Sequence, residues 1–166
     1  MAITGKAIVI DFLYLDLTVC DRCQGTEASL AKALEQVGGL LQAAGATVQV
    51  NTINVVNEEQ AQRLAFASSP TIRVNGRDIQ LEVKESNCDS CGDLCGSTVD
   101  CRVWLHEGQE YVVPPPEMIA EAIIWALEDN QEPPILPVDF EVPENLQRFF
   151  SELRQKEHIK CSCCGD

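Results

Sequence analysis

Two cysteines with two residues between them, Cys20 and Cys23, stand where an apolar, strand-like run gives way to a helix-like pattern. A thiol at the start of a helix lies beside unpaired backbone N–H groups and the positive end of the helix dipole, and both favour the thiolate. Arg22 adds a cation between the two cysteines. Because a thiolate is both the nucleophile of disulfide exchange and a ligand for soft metals, this pair predicts one of these two kinds of sulfur chemistry.

Cysteine is frequent in the rest of the chain as well. In a reducing compartment, such a density indicates metal binding or catalysis more often than a permanent disulfide framework. The 166 residues contain nine cysteines in three groups, namely Cys20 and Cys23, then Cys88, Cys91, Cys95 and Cys101, and finally Cys161, Cys163 and Cys164.

The middle group of cysteines allows three interpretations. All four can wrap one tetrahedral Zn²⁺, since the two-residue spacing lets Cys88 and Cys91 reach the same ion. Alternatively, Cys91 and Cys95 form a second redox pair that exchanges electrons with the first pair. The third interpretation is a static disulfide within a loop. The group lacks a second Cys-x-x-Cys, so the spacing does not decide among these three.

The last group of cysteines lies at the C-terminus, beyond a segment rich in proline and acidic residues. We predict a flexible tail in which Cys161, Cys163 and Cys164 deliver electrons or a soft ion to the main site, because a tether raises the effective concentration. Adjacent cysteines also chelate soft ions well. The alternative is a disordered tail that has no part in function.

The overall charge limits the classes of partner. A formal net charge of −14 argues against nucleic acids and anionic membranes, which attract basic surfaces. No apolar run is long enough to cross a bilayer, since Asp11 and Asp16 interrupt the longest one. The N-terminal residues lack the basic and apolar regions of a secretory signal. We therefore expect a cytoplasmic protein whose partner is a protein or small-molecule disulfide or a soft metal ion.

The hydrophobic pattern predicts alternating strands and helices in the first half of the chain. The run 7–15 is typical of a buried strand, and 47–53 of a second strand. A long helix over 22–44 lies between them. A short helix follows, for which Asn57 is the expected N-cap and Gln60 its capping-box partner.

A hairpin is predicted next. Alternating apolar residues lead into Asn75-Gly76, a strong signal for a tight turn, and a return strand should carry Ile79, Leu81 and Val83. Residues 84–100 form an insertion, after which 101–105 and 111–113 suit a pair of strands joined at Glu107-Gly108. A helix over 116–129 completes this part of the chain.

The C-terminal part changes in composition. Prolines and acidic residues over 131–143 predict a semi-rigid linker. A stripe of apolar residues then predicts a short amphipathic helix that docks on the domain or on a second copy of the chain. The stripe consists of Leu146, Phe149, Phe150 and Leu153.

The order of these elements, with Cys-x-x-Cys after the first strand and Ser69-Pro70-Thr71 before the third, resembles the thioredoxin and glutaredoxin superfamily, and within it a cysteine-rich bacterial branch. The resemblance covers residues 5–128. It implies an α/β fold with a thioredoxin-like mixed four-stranded sheet and flanking helices over 1–130, with the cysteine-rich insertion at 84–101 and a helical extension at 144–166.

The resemblance also implies roles for residues. In that family the proline of the motif is cis and lies against the active-site sulfurs, so Pro70 is expected to face Cys20 and Cys23. The backbone of Ser69 should then be open to a substrate, with Thr71 and Arg22 as further substrate contacts. The chain departs from thioredoxin in having Val19, Asp21 and Arg22 in place of the tryptophan and Gly-Pro, so the redox potential and partners are not carried over.

Two functions of different classes follow. The first is a thiol–disulfide oxidoreductase, in which Cys20, the more exposed cysteine, attacks and Cys23 resolves the mixed disulfide. That reaction requires no cofactor. The alternative is a protein that binds or transfers a soft metal or metalloid ion such as zinc, copper, mercury or arsenic. A structural zinc module with an inactive dithiol is a third hypothesis.

Overall fold

The computed structural model describes residues 5–18, 20–88, 99–130 and 132–163, the stretch 157–163 as backbone only. A mixed sheet of four strands forms its centre, in the order β2–β1–β3–β4. Strand β1 runs parallel to β2 and antiparallel to β3, which pairs antiparallel with β4. The predicted mixed four-stranded α/β architecture is therefore confirmed. The strands are β1 (Ala7–Tyr14), β2 (Thr47–Asn54), β3 (Thr71–Val74) and β4 (Arg77–Asp78).

Four helices accompany this sheet among the described residues. Asn57 caps the second helix as expected, accepting a hydrogen bond from the Gln60 N–H at 2.8 Å, while the Gln60 side chain accepts one from the N–H of Val56 rather than of Asn57. The helices are α1 (Asp21–Ala43), α2 (Glu58–Arg63), α3 (Pro116–Glu128) and α4 (Glu144–Cys163).

The buried side chains form two clusters, which we call the apolar core and the thiol core. Alternate residues of β1 supply the apolar core, which lies between the sheet and helices α1 and α3. Leu13 belongs instead to the thiol core. The apolar core includes Ile8, Ile10, Phe12, Leu30, Val37, Ile72, Trp104, Ile119 and Ile123. The thiol core includes Cys20, Cys23, Phe66, Cys88, Val99, Cys101, Leu146, Phe149 and Phe150.

A second, antiparallel sheet follows the first along the chain. Its strands are β5 (Lys84–Asn87), β6 (Asp100–His106) and β7 (Gln109–Tyr111). The expected pair β6–β7 is present, with Glu107 and Gly108 at φ values of 51° and 78° in the connecting turn. Strand β5 was not expected, because its sequence, Lys-Glu-Ser-Asn, carries no apolar alternation.

The predicted return strand through Ile79, Leu81 and Val83 is wrong. Strand β4 ends at Asp78, and 90% of the Leu81 side chain is exposed. Gln80 turns inward instead, where its amide donates to the Val103 carbonyl at 3.1 Å and accepts from the Leu105 N–H at 2.6 Å. Both ends of this amide are satisfied by β6, and this outweighs the strand preference of the apolar residues around it.

The prediction of a short last helix followed by a flexible tail is also wrong as far as residue 163. Helix α4 continues well beyond its apolar stripe, so the backbones of Cys161 and Cys163 are helical. Many of the residues after Phe150 are Glu, Arg, Gln and Lys, which favour helix. Cys164 lies outside the described residues.

The proline-rich segment before α4 lies against the β3–β4 turn. Gly76 has a φ of +81°, and a Cβ placed there would be 3.4 Å from side-chain atoms of Pro133 and Pro134. Arg77 donates to the carbonyl of Glu132 at 3.2 Å. Over the ranges that the structure describes, none of the helices combines the length and the hydropathy needed to cross a lipid bilayer.

Candidate thiol centre

Cys20 occupies the N-cap of helix α1. Its backbone is extended, at φ −81° and ψ 105°, and its Sγ accepts a hydrogen bond from the Cys23 N–H at 3.4 Å. Cysteine thus takes the place that Ser, Thr or Asp usually takes at a helix start. An N–H donated to sulfur and the helix dipole both stabilise a thiolate at this position.

Two further sulfurs come from the second sheet. Cys101 lies in β6, and Cys88 directly follows β5, where its N–H donates to the Val99 carbonyl at 2.7 Å. The Sγ atoms of Cys20 and Cys88 are 3.9 Å apart, and the three Sγ atoms of Cys20, Cys88 and Cys101 all lie within 4.8 Å of one another. We call these three residues the thiol triad.

Cys23 contacts both Cys20 of the triad and Ser69. Its Sγ lies 3.5 Å from the Ser69 Oγ, which itself accepts a hydrogen bond from the Leu15 N–H at 3.1 Å. A hydrogen bond to Cys20, burial and the negative charge of Cys20 together raise the pKa of the Cys23 thiol far above its ordinary value. Cys23 therefore keeps its proton.

The triad is buried, so the prediction that Cys20 is the more exposed cysteine is wrong. Cys20 and Cys23 are both 0% exposed, and Cys88 is 3% exposed. The second sheet supplies Cys88 and Cys101 above them, and helix α4 adds Phe149 and the rest of its apolar stripe. No disulfide is formed by Cys20, Cys23, Cys88 or Cys101.

Arg22 joins the elements that carry these sulfurs. Its guanidinium donates to three carbonyl oxygens, at 3.3 Å to Ser86, 2.8 Å to Asn87 and 3.2 Å to Cys101. Ser86 and Cys101 face each other in the β5–β6 ladder. Arg22 thus fastens the first turn of α1 to both strands of the second sheet, and its expected role as a substrate contact stays a prediction.

The Ser69–Pro70 peptide bond is cis. The Ser69 carbonyl, expected to be open to a substrate, accepts a hydrogen bond from the Arg102 N–H at 2.7 Å, so strand β6 occupies that position. Thr71 is buried, donates to the Ser68 carbonyl at 2.6 Å and accepts from the Arg102 guanidinium at 3.2 Å. Its proposed contact with a substrate stays a prediction.

Sequence reasoning missed Arg102, which is 1% exposed. Its guanidinium pairs with the Asp78 carboxylate at 2.8 Å, donates to the Gln80 carbonyl and lies 4.9 Å from the centre of the Trp104 ring. These contacts hold β6, and with it Cys101, against the first sheet. An arginine inside an apolar strand is the one signal that could have indicated such a buried pair.

A cluster of polar side chains attaches the start of α4 beside the triad. The Glu85 carboxylate accepts from the Ser68 hydroxyl at 3.0 Å and from the Asn145 amide at 3.3 Å, and burial raises its pKa. Asn145 also accepts from the Asp100 N–H at 2.9 Å and donates to the Asp100 carbonyl at 2.8 Å. This cluster ties α4 to β5 and β6 at once.

A family model described as "Domain of unknown function (DUF2703)" matches residues 8–123. The chain belongs to this family. No curated protein and no solved structure matched this chain. The DUF2703 region includes all three cysteines of the triad together with Cys23, whereas helix α4 and the last group of cysteines lie beyond it.

The interpretation of Cys88, Cys91, Cys95 and Cys101 as one zinc site stays a prediction. Cys88 and Cys101 do converge, but their described partner is Cys20, from the group assigned to redox chemistry. Cys91 and Cys95 lie outside the described residues. Nothing in the local spacing connects position 20 with positions 88 and 101, because the contact depends on how the second sheet docks.

The triad has dimensions that suit metal coordination. Zn–S bonds of about 2.3 Å in a tetrahedron separate the sulfurs by roughly 3.8 Å. The Cys20–Cys88 Sγ separation is 3.9 Å. Sulfurs at this distance can also take part in thiol–disulfide exchange after a small movement, because a disulfide bond is about 2.05 Å long.

Proposed function

We propose that this DUF2703 protein binds a soft metal or metalloid ion through Cys20, Cys88 and Cys101. The observation that carries the proposal is the convergence of three buried sulfurs, from three separate segments, within 4.8 Å of one another. Thiolates select soft ions, so zinc, copper(I), mercury(II) and arsenic(III) are the candidates.

The surroundings of the triad support binding rather than simple packing. Buried cysteines that only fill space do not need other sulfurs nearby, so they can lie scattered through a core. Here one sulfur is the N-cap of a helix, where the thiolate is favoured, and the apolar side chains of the thiol core keep water away. A dry, preorganised set of thiolates favours capture of an ion over its hydration.

A thiol–disulfide oxidoreductase is the second candidate. It is supported by the Cys20–Cys23 pair at the start of α1 next to Ser69 and Pro70, and by the strand order β2–β1–β3–β4, which fits a thioredoxin-like interpretation of the fold. Cys20 would attack a substrate disulfide and release one substrate thiolate. Attack by Cys88 or Cys23 on the mixed disulfide would release the second, passing two electrons to the substrate.

Burial ranks the two candidates. A protein disulfide must reach a nucleophilic sulfur along the line of the bond that breaks, and 0% of Cys20 is exposed. An ion needs only a transient opening. The oxidoreductase therefore requires the thiol core to open in every turnover, whereas the ion-binding protein requires it only for loading. A reducing, cytoplasmic location, which suits either function, stays a prediction.

The test is a titration of the reduced full-length protein with Cd²⁺, followed by thiolate-to-metal absorption and by native mass spectrometry. Cys20→Ser, Cys88→Ser and Cys101→Ser should each weaken the tightest site by more than about a hundredfold, which exceeds the usual effect of losing an outer-shell partner. Cys23→Ser is the matched control, since it removes a buried sulfur that is not part of the triad, and should change affinity by only a few-fold.

Two results would contradict ion binding. One is a tightest site that survives Cys88→Ser and Cys101→Ser unchanged. The other is reduction of a protein disulfide at a substantial rate by wild-type protein, abolished by Cys20→Ser and by either Cys23→Ser or Cys88→Ser, without any ion bound at the triad. The second result would establish the oxidoreductase instead.

A further inference from the structure

We infer that Arg22 determines the specificity of the thiol centre, making it prefer a divalent soft cation to a trivalent metalloid. The inference rests on the proposed function and names the substrate class of the same site. It comes from the position of the Arg22 guanidinium beside the strands that carry Cys88 and Cys101.

The guanidinium is held close to the sulfurs. It lies 3.2 Å from the Cys101 carbonyl oxygen, and it also donates to Asn87, the residue that precedes Cys88. The carbonyl oxygen and the Sγ of one cysteine are four bonds apart, so the positive charge lies within about 8 Å of the Cys101 Sγ. That distance is shorter than the Debye length of about 10 Å at 0.1 M salt.

The net charge of the loaded triad depends on the valence of the ion. Cadmium binding is Cd²⁺ + 3 Cys–SH → [Cd(S–Cys)₃]⁻ + 3 H⁺, which leaves one negative charge. Arsenite binding is As(OH)₃ + 3 Cys–SH → As(S–Cys)₃ + 3 H₂O, which leaves none. Since an uncompensated buried charge is costly, only the cadmium complex gains from a neighbouring cation.

Three other charged groups near the thiol core, all within the described part of the chain, do not take over this role. The Asp16 carboxylate accepts from the Thr18 hydroxyl at 2.7 Å. Burial raises the pKa of Glu85, which faces Ser68 and Asn145. The Arg102 guanidinium is paired with Asp78. Within the described ranges, Arg22 is the cation whose side chain bonds to both strands, β5 and β6, that lead to Cys88 and carry Cys101.

The size of the effect follows from Coulomb's law. At about 8 Å and an effective dielectric constant of about 20, a unit charge changes the affinity for a singly charged complex roughly thirtyfold. Arg22 is partly exposed, which adds solvent screening. Replacing it by a neutral residue should therefore lower the ratio of cadmium to arsenite affinity by roughly tenfold to thirtyfold.

The experiment measures this ratio in the reduced full-length chain, with cadmium chloride and sodium arsenite as the probes. Cys88→Ser gives the background from cysteines outside the triad. Arg22→Met removes the charge, and Arg22→Gln, which keeps hydrogen-bond donors, replaces it if the methionine variant does not fold. Arg22→Lys keeps the charge but loses the guanidinium that donates to three carbonyl oxygens. Lys32→Met, at an exposed position of the same helix, is the control for overall charge.

We expect a tenfold or larger fall of the ratio in Arg22→Met or Arg22→Gln, and a ratio within about threefold of wild type in Arg22→Lys and Lys32→Met. An unchanged ratio in the neutral variants overturns the inference while leaving the proposed function intact, and so does a lysine variant that behaves like them. Failure of the wild type to bind either ion in a Cys88-dependent way overturns the proposed function itself.

Discussion

The apolar core and the thiol core are both fully buried, yet they are assembled in different ways. The apolar core takes aliphatic side chains from β1, α1, β3 and α3, each at the regular spacing of its element. The thiol core collects its sulfurs from the start of α1, the residue after β5 and the start of β6, and the apolar stripe of α4 packs into the same cluster. One is built mainly from local patterns, and the other depends on long-range docking.

This difference separates stability from chemistry. A shortened side chain in the apolar core removes contacts that all aliphatic residues can make, so its effect should be on folding alone. In the thiol core the same packing also positions Cys20, Cys88 and Cys101, and their hydrogen bonds and charges set what the sulfurs can bind. Variants that affect one core and not the other therefore test whether the two are independent.

The largest expected effect is on folding, from Ile119→Ala in the apolar core. Ile119 is 0% exposed, and its truncation should lower the free energy of unfolding by about 4 kcal/mol through lost burial and a residual cavity. Urea denaturation measures this loss, and cadmium titration under native conditions should show an affinity within a few-fold of wild type. Loss of cadmium binding by a folded Ile119→Ala protein would show that the two cores are not independent.

A smaller loss of stability, accompanied by exposure of the thiols, is expected for Phe149→Ala. Phe149 is 1% exposed in the thiol core, and its truncation should cost about 3 kcal/mol, since α4 can release before the rest of the fold does. Labelling of Cys20 by iodoacetamide, followed by peptide mass spectrometry, should become at least about tenfold faster as a consequence.

Ser151→Ala, at an exposed position of the same helix, is the matched control and should leave labelling unchanged. Equal labelling rates in Phe149→Ala and wild type would mean that α4 is not what shields Cys20.

The smallest effect concerns pH, through Glu85 beside the thiol core. Burial raises the pKa of this carboxyl above its ordinary value of 4.5, so the folded protein binds more protons here than the unfolded chain does. The contribution of Glu85 to stability is therefore lost as pH rises from about 4.5 through its folded pKa. Glu85→Gln should flatten this part of the stability profile and stabilise the protein at neutral pH.

Denaturant midpoints measured from pH 4 to pH 8 check this sign, with the exposed Glu82→Gln as the control. A wild-type stability that rises more steeply over this range than that of Glu85→Gln would reverse the inferred direction.

Local patterns account for the elements that the sequence predicted well. Strand β1 and helix α1 begin and end within about two residues of the predicted bounds, because their hydrophobic periodicity and stop signals lie within each segment. The Asn75-Gly76 turn likewise follows from φ values of 51° and 81°, which those two residues adopt readily. The exposure of the Leu81 side chain could not be predicted in this way, because it depends on contacts between Gln80 and a strand some 25 residues later.

By itself, the sequence determined the order of the main elements, the position of Cys20 and Cys23 at a helix start and the presence of sulfur chemistry, since each depends on residues close together in the chain. Only the tertiary structure decided that Cys20 joins Cys88 and Cys101, that Arg22 braces them and that the apolar stripe of α4 packs into the same core. Such contacts arise from the docking of one sheet and one helix onto another, where long-range packing rather than local preference determines which side chains meet.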